Sequence, residues 1–99
     1  MDKAKIDPRL SRALEKASVN NTPVRALVVV GSKSGALPRA ESERMLRDMV
    51  GRASRDADSE PSQLVVFPNV QSISIEAKPR LLRRLLEEDL IDAASLSSS

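Results

Sequence analysis

The sequence predicts an α+β fold in which a small antiparallel sheet carries helices on one face. Three observations lead to this prediction. Val24–Val30 is apolar on both faces, as in a strand that is buried on both sides. From Val70 to Ala77 the residue types alternate with period two, which is the period of a strand. Four leucines between Leu81 and Leu86 recur at helical spacing.

The first part of the chain is predicted to form a short helix, Pro8–Ala17. Asp7 followed by Pro8 is a helix-start signal, because a carboxylate caps free N–H groups and proline suits the first helical position. Asn20–Pro23 ends the helix, and the charged segment Met1–Lys5 is expected to be loose. One apolar stripe runs along the helix: Leu10, Ala13, Leu14 and Ala17.

The middle of the chain predicts a loop, a second helix and a connector. Gly31–Gly35 is the loop, and Pro38 with Glu41 and Glu43 marks the helix entry, where acidic side chains favour the helix dipole. The buried stripe of this helix is expected to be Met45, Leu46, Met49, Val50 and Ala53. The polar segment Ser54–Ser62 is expected to be an exposed connector.

The last third predicts a hairpin, a helix and a final strand. Leu64–Phe67 is the first strand of the hairpin, and Pro68–Asn69 supplies the turn. In the next strand one face carries Gln71, Ile73, Ile75 and Ala77, and the other carries Val70, Ser72, Ser74 and Glu76. Pro79 opens the leucine helix. Ala93, Ala94 and Leu96 allow a short last strand.

After the leading helix, the elements therefore follow the order β-α-β-β-α-β. Right-handed crossovers convert this order into a ferredoxin-like antiparallel sheet with both helices on one face. The first and third strands, Ala26–Val30 and Val70–Ile75, should be central, and the second and fourth should be edges. We expect an extension at residues 1–23, one domain at 24–96 and a serine tail at 97–99. The other face of the sheet should be uncovered.

Composition argues against catalysis. The 99 residues contain no histidine and no cysteine, so the usual general base and thiol nucleophile are missing. Phe67 is the single aromatic residue, so the core must be aliphatic, and the net charge of +2 is too small to indicate nucleic acid. We expect no enzymatic activity, no cofactor and no metal. A catalytic Ser32–Lys33 pair is an alternative, although a solvated loop is the simpler interpretation of these two residues.

Other charged or glycine-rich features are weaker candidates. The loop Gly31–Gly35 does not match the spacing of phosphate-binding loops. Glu87–Asp89 could bind a hard cation, although a solvated helix end is the simpler interpretation. The arginines of both later helices alternate with acids, and the central strands carry no aromatic residue on which RNA bases could stack. We therefore expect no nucleic-acid partner.

The sequence also predicts a chain that is soluble and cytoplasmic. No apolar run approaches the roughly 20 residues of a membrane span. Met1–Leu10 lacks the apolar core of a signal peptide. We expect neither a membrane partner nor export.

Three stretches of the chain are similar to one known family. KIDPRLSRALEKA followed by TPVRALVVV is similar to the helix and first strand of that family, and VVFPNVQSISIEAKP to its central hairpin. LLRRLLEEDLIDAASL is similar to its closing helix, acidic turn and last strand. On these stretches, which cover most of residues 5–96, the chain resembles the propeptides of subtilisin-like serine proteases and the standalone inhibitors related to them.

The resemblance implies an inhibitor, an intramolecular folding chaperone, or both, acting on a subtilisin-like protease in cis or in trans. In that family the uncovered sheet face packs on the protease, and the segment after the last strand lies in the substrate cleft. The docking face implied here includes Ser72, Ser74 and Glu76 with Val28 of the first strand. The implied cleft-binding segment runs from Ala93 to Ser99, and it contacts the protease through Ala93, Ala94, Ser95 and Leu96.

A second interpretation needs no protease. The uncovered face, with Val28 and its neighbours, would then pair with an unrelated protein or with a second copy to form a homodimer. The chain would be a ferredoxin-like interaction module.

Overall fold

The computed structural model of the chain describes residues 5–30 and 38–97. The predicted α+β class is confirmed. In chain order the elements are β1 Lys5–Ile6, α1 Pro8–Asn20, β2 Val24–Val30, α2 Arg39–Ala57, β3 Gln63–Phe67, a 3-10 turn Pro68–Val70, β4 Ser72–Ala77, α3 Pro79–Leu85 and β5 Ile91–Leu96.

The strands form one sheet in the order β1-β5-β2-β4-β3. The four longer strands are antiparallel, and β2 and β4 are central, as predicted. The prediction that the last strand is an edge is wrong, because β1 pairs with it in parallel and places Lys5 beside Ala93. Lys5 therefore belongs to a strand rather than to a loose segment. The five-stranded order differs from the expected four-stranded one by this added strand.

Helix α1 begins as the sequence predicts. Asp7 accepts a hydrogen bond from the backbone N–H of Arg9 at 2.9 Å, and Pro8 occupies the first turn. Leu10, Leu14 and Ala17 are buried. The helix continues to Asn20, beyond the predicted end, and the left-handed conformation of Asn21 terminates it.

Helix α2 is longer than predicted. The interpretation of Ser54–Ser62 as a connector is wrong for its first four residues, which are helical. Ala53 and Ala57 lie four residues apart on the buried stripe, so packing continues the helix through a polar stretch. Asp58 ends it in a left-handed conformation, with its N–H directed to the carbonyls of Arg55 and Ser54.

The hairpin turn is also longer than predicted. A 3-10 turn covers Pro68–Val70, and Gln71 adopts a left-handed conformation with φ of 47°. Strand β4 therefore begins at Ser72, and the prediction that Val70 and Gln71 belong to it is wrong. Val70 is 66% exposed.

One core lies between the helices and one face of the sheet, which we call the covered face. On β4 that face carries Ile73, Ile75 and Ala77, all fully buried, as the alternation predicts. The helices supply the opposing layer: Leu10, Leu14, Leu46, Met49, Val50, Ala53, Leu81, Leu82 and Leu85. The predicted arrangement of helices on one side of the sheet is confirmed, with α1 as a third helix.

Candidate protein-binding surface

The sheet face opposite the helices, which we call the open face, is organised in rows by the strand register. In the first row Phe67, Ser72 and Val29 lie side by side, and in the second Val65, Ser74 and Leu27 do. A third, polar row completes the three strands: Gln63, Glu76 and Arg25. The rows continue onto β5, where Ala93 lies beside Val29 and Ser95 beside Leu27.

The open face exposes large apolar side chains. Leu27 and Val29 of β2 are each 37% exposed, Phe67 is 41% exposed and Val65 is 50% exposed. These four residues belong to two adjacent rows, so they form one patch rather than scattered points. Contiguous apolar groups on a protein surface commonly mark a site of protein–protein contact.

Two serines form the floor of this patch. Ser72 and Ser74 lie on β4 between the larger side chains of β2 and β3. Ser72 is only 6% exposed, because its larger neighbours rise above it. The result is a shallow groove along β4 that has apolar walls and hydroxyl groups at its base. A narrow ridge on a partner surface can therefore approach the backbone of β4 closely, whereas a flat surface would rest on the apolar walls.

One end of the groove is polar and internally neutralised. The Nη2 of Arg25 donates to Oε1 of Gln63 at 3.2 Å and to Oε2 of Glu76 at 3.2 Å. The guanidinium and the carboxylate are both about one-third exposed. The ion pair fixes the orientation of both side chains, and it gives a partner a defined polar boundary beside the apolar patch.

The structure brings together three of the residues that the sequence singled out. Ser72, Ser74 and Glu76 share the open face, as their alternation in β4 predicts. Val28 does not join them. It lies opposite Ile73 and is fully buried on the covered face, so the expectation that it is available to a partner is wrong. Its neighbours Leu27 and Val29 occupy the open face instead.

The closing segment is divided between the two faces. Ala93 and Ser95 lie on the open face, whereas Ala94 and Leu96 pair with Val28 and Ala26 on the covered side. Ala94 is buried, and Leu96 packs against the core. Of the four predicted contact residues, only Ala93 and Ser95 therefore lie on the open face.

The backbone of β5 is paired along one edge, and at Ala93 and Ala94 on the other edge as well. It pairs with β2 on one side and with β1 on the other. The N–H of Asp7 donates to the carbonyl of Ala94 at 2.9 Å, and that of Ser97 to the carbonyl of Arg25 at 3.0 Å. The expectation that Ala93–Leu96 is an accessible cleft-binding tail is therefore wrong. These residues cannot enter a cleft without leaving the sheet.

Sequence reasoning missed the four apolar residues of the open face. In β2 the cause is that apolar residues follow one another from Ala26 to Val30, so composition does not distinguish its faces. The register provides the missing signal, because each β2 residue shares a face with its β4 partner. In β3 the alternation is hidden in the same way, since Leu64 and Val66 pack against the core while Val65 and Phe67 do not.

The other candidates give weaker sites. The Ser32–Lys33 pair and the loop Gly31–Gly35 lie outside the described residues. In the acidic run, Glu88 is paired with Arg52 at 3.3 Å, and Glu87 lies 3.7 Å from Arg84. Within residues 5–30 and 38–97, no group of three or more acidic, histidine or cysteine side chains is arranged to hold a metal ion.

The arginines of the last helix are partly committed to ion pairs. Arg84 donates to Oδ2 of Asp56 through both Nε, at 3.0 Å, and Nη2, at 2.7 Å. This hydrogen-bonded pairing raises the pKa of Arg84 above its ordinary value. Arg83 donates to the hydroxyl of Ser18 at 3.1 Å. These contacts tie α3 to α2 and α1, so the basic groups serve helix packing.

A cleft of about 380 Å³ lies between α1 and α3. Its apolar lining comes from Ile6, Leu14 and Leu86, and its polar residues are Ser11, Glu15, Arg83 and Glu87. All four polar residues are exposed. The cleft therefore has no buried polar side chain that would orient a ligand. In the described part of the chain, no helix has the length and apolar character needed to cross a membrane.

The chain was compared with known proteins in three ways. Protein-family models, curated proteins and solved structures were searched, and none of the three comparisons found a match.

Proposed function

We propose that this chain is a protease-binding domain of the propeptide or inhibitor type, which docks on a subtilisin-like serine protease through its open face. The role is non-catalytic and acts in cis or in trans. Two independent considerations support it: the resemblance of three long stretches to that family, and the apolar patch on the side of the sheet opposite the helices. The patch is the single observation that carries the proposal.

We also propose that β2, α2, β3, β4, α3 and β5 form a ferredoxin-like unit. The order β5-β2-β4-β3 of these strands supports the assignment, since the first and third strands of the unit are central. In this view β1 and α1 are additions that extend the unit at one edge. The unit leaves its open face to the partner because all of its helices pack on the covered face.

The pairing of β5 favours a docking or chaperone role over blockade of the substrate cleft. In a cleft-filling role Ala93–Leu96 would have to be free, but these residues are paired in the sheet and the N–H of Ser97 bonds to the carbonyl of Arg25. A folding chaperone needs only a rigid template surface. The groove along β4 offers such a template, with apolar walls that gain free energy when a partner covers them.

The experiment is a titration of the chain against a purified subtilisin-like protease. Calorimetry measures affinity, cleavage of a small substrate measures inhibition, and recovery of activity after dilution from denaturant measures chaperoning. We expect Leu27→Asp to weaken binding and chaperoning by at least about tenfold, because it places a charge in the apolar contact. Val19→Asp is the matched control, since Val19 is 84% exposed on α1, away from the open face.

Two results would contradict the proposal. One is the absence of any complex between the wild-type chain and the protease. The other is equal weakening by the two substitutions, which would show that the open face is not the contact. Removal of residues 98 and 99 is a further comparison, and we expect it to leave docking intact.

A second candidate function is an interaction module whose open face binds a protein other than a protease. The pairing of β5 favours it, because Ala93–Leu96 are held in the sheet and are not free to bind a substrate cleft. Failure to bind the protease, together with a folded and stable chain, would favour this candidate.

A further inference from the structure

We infer that the free edge of β3 pairs with the β3 edge of a second copy of this chain, so that two sheets join into one. The site is the outer side of Gln63–Phe67, at the end of the sheet opposite β1. This contact uses backbone groups at the rim of the sheet and does not depend on the proposed protease contact.

The hydrogen-bond pattern identifies which backbone groups point outward. The N–H of Val30 donates to the carbonyl of Gln71 at 2.9 Å, so odd-numbered residues of β4 bond to β2. Successive residues of a strand point their backbone groups in opposite directions. Ser72 and Ser74 therefore bond toward β3, and their partners Phe67 and Val65 bond toward β4.

The backbone groups of Leu64 and Val66 consequently point away from the sheet. Each residue presents one N–H and one carbonyl, and these four groups in a row have no strand partner in residues 5–30 and 38–97. Unpaired edge groups of this kind are a ready template for another strand. Among the described residues, no strand pairs with this edge.

The edge is self-complementary in one register. If two copies run antiparallel about a two-fold axis at Val65, Leu64 of each copy faces Val66 of the other. Both N–H groups and both carbonyls of each copy are then satisfied, which gives four hydrogen bonds between the chains. The two Val65 side chains meet as a non-hydrogen-bonded pair, where cross-strand side chains approach most closely.

This edge lacks the features that usually prevent strand pairing. No residue from Gln63 to Phe67 is charged or proline, and its register with β4 is continuous. Val65 is 50% exposed, so pairing would bury apolar surface as well as satisfy the backbone. Pro68 follows directly and, having no N–H, limits the ladder to these five residues.

The charges at the two ends of β3 also permit this arrangement. Asp58 and Glu60 precede the strand, whereas the turn after it, Pro68–Val70, is uncharged. Antiparallel pairing places the acidic end of one copy beside the uncharged turn of the other. The acids of the two copies therefore lie at opposite ends of the contact and do not repel each other at close range.

The flank of α2 that lies beside β3 also carries a neutralised pair of charges. Asp56 pairs with Arg84 of α3 and Arg52 pairs with Glu88 just after α3, so both mark the flank of α2 that faces α3. By helical spacing Glu43 and Arg47 lie on the opposite flank, on the side of β3, and they form an ion pair of 3.3 Å. The second copy would therefore meet a flank without net charge.

The experiment measures the mass of the chain alone by sedimentation from about 1 µM to about 1 mM, the range in which a small interface dissociates. We expect the mean mass to rise toward twice that of the monomer. At the high concentration, amide exchange at Leu64 and Val66 should slow by at least about tenfold. The amide of Val65 serves as an internal control, because it already bonds within the sheet.

Three variants separate edge pairing from stacking of open faces. Val65→Lys places two ammonium groups opposite each other at the two-fold axis and should keep the chain monomeric. Leu27→Lys makes the same change two strands away and should leave the dimer intact. Val65→Thr keeps a β-branched, uncharged side chain and should also dimerise.

Three results would overturn the inference. The first is a wild-type chain that stays monomeric at the highest concentration. The second is a dimer in which exchange at Leu64 and Val66 is unchanged. The third is loss of the dimer in Leu27→Lys as well as in Val65→Lys, which would indicate face-to-face stacking. If Val65→Lys fails to fold, the exchange measurement on the wild-type chain decides alone.

Discussion

The two faces of β4 differ in chemistry although they share one backbone. Ile73 and Ile75 point to the helices and are fully buried, whereas Ser72 and Ser74 point to the open face between larger side chains. The covered face gains its free energy from burying aliphatic groups. The open face leaves large apolar side chains more than one-third exposed, so further free energy is available there if another surface covers them.

The same substitution on neighbouring residues of β4 should separate the two faces most clearly. Ile73→Asp places a carboxylate in a fully buried aliphatic site, and we expect it to cost at least about 4 kcal/mol. That is a large part of the roughly 5–15 kcal/mol that stabilises a typical domain. Ser74→Asp, on the open face, should change stability by less than about 1 kcal/mol. Urea unfolding followed by circular dichroism measures both.

A cooperative, near-wild-type unfolding curve for Ile73→Asp would show that the two faces are inverted. A large loss in both variants would show that the open face is also structural. Either result would remove the basis for assigning the open face to a partner.

Truncation to alanine compares the two faces of β2, with a smaller expected loss of stability. Val28→Ala leaves a cavity in the core, and we expect a loss of about 2 kcal/mol. Leu27→Ala removes more atoms, but from a side chain that is 37% exposed, and it should cost under about 1 kcal/mol. Thermal unfolding of the two variants gives the comparison. If Leu27→Ala is the more damaging variant, the side-chain directions in β2 are opposite to those described.

How much of this could be predicted from sequence depends on the strand. In β4 small polar residues alternate with isoleucines, so the sequence specifies both faces. In β2 every residue from Ala26 to Val30 is apolar, and only pairing with β4 shows that Val28 is buried. Tertiary register is a long-range property, so a local pattern cannot supply it.

The wrong predictions for other elements have a similar cause. The end of α2 looked like a polar connector, but Ala57 packs in the core and extends the helix. β1 has only two residues and gains its place by pairing with β5, which is distant in sequence. Both features depend on contacts that form only in the folded chain. The expectation that Ala93–Leu96 is a free tail is wrong for the same reason, since its pairing partners are distant in sequence.

A buried hydroxyl connects the helix layer to the hairpin that bounds the open face. The Oγ of Ser42 donates to the carbonyl of Pro68 at 3.1 Å, and Ser42 is fully buried. That carbonyl also accepts the N–H of Gln71, so Ser42→Ala leaves it one partner. We expect a loss of about 1 kcal/mol in urea unfolding. Ser11→Ala removes an exposed hydroxyl of α1 and should cost less than about 0.5 kcal/mol. Equal losses would show that the tie to the hairpin is not specific.

The smallest effect is expected at the β1 end of the sheet, where Asp7 joins β1 to α1. The hydrogen bond from the backbone N–H of Arg9 lowers the pKa of Asp7 below its ordinary value of 3.8. A carboxyl whose pKa is lower in the folded state stabilises the fold above pH 3.8, and that contribution disappears as the pH falls through the folded pKa. Asp7→Asn keeps an oxygen that can cap the helix but does not titrate.

The measurement is the melting temperature of both proteins at a series of pH values. The other carboxyl groups titrate equally in the two, so the difference between the curves isolates Asp7. We expect the wild-type protein to lose its advantage over Asp7→Asn as the solution is acidified. Parallel curves would show that the ionised carboxylate of Asp7 does not stabilise the junction between β1 and α1. The edge of β5 would then be sealed by backbone pairing alone, in contrast to the free edge of β3 at the other end of the sheet.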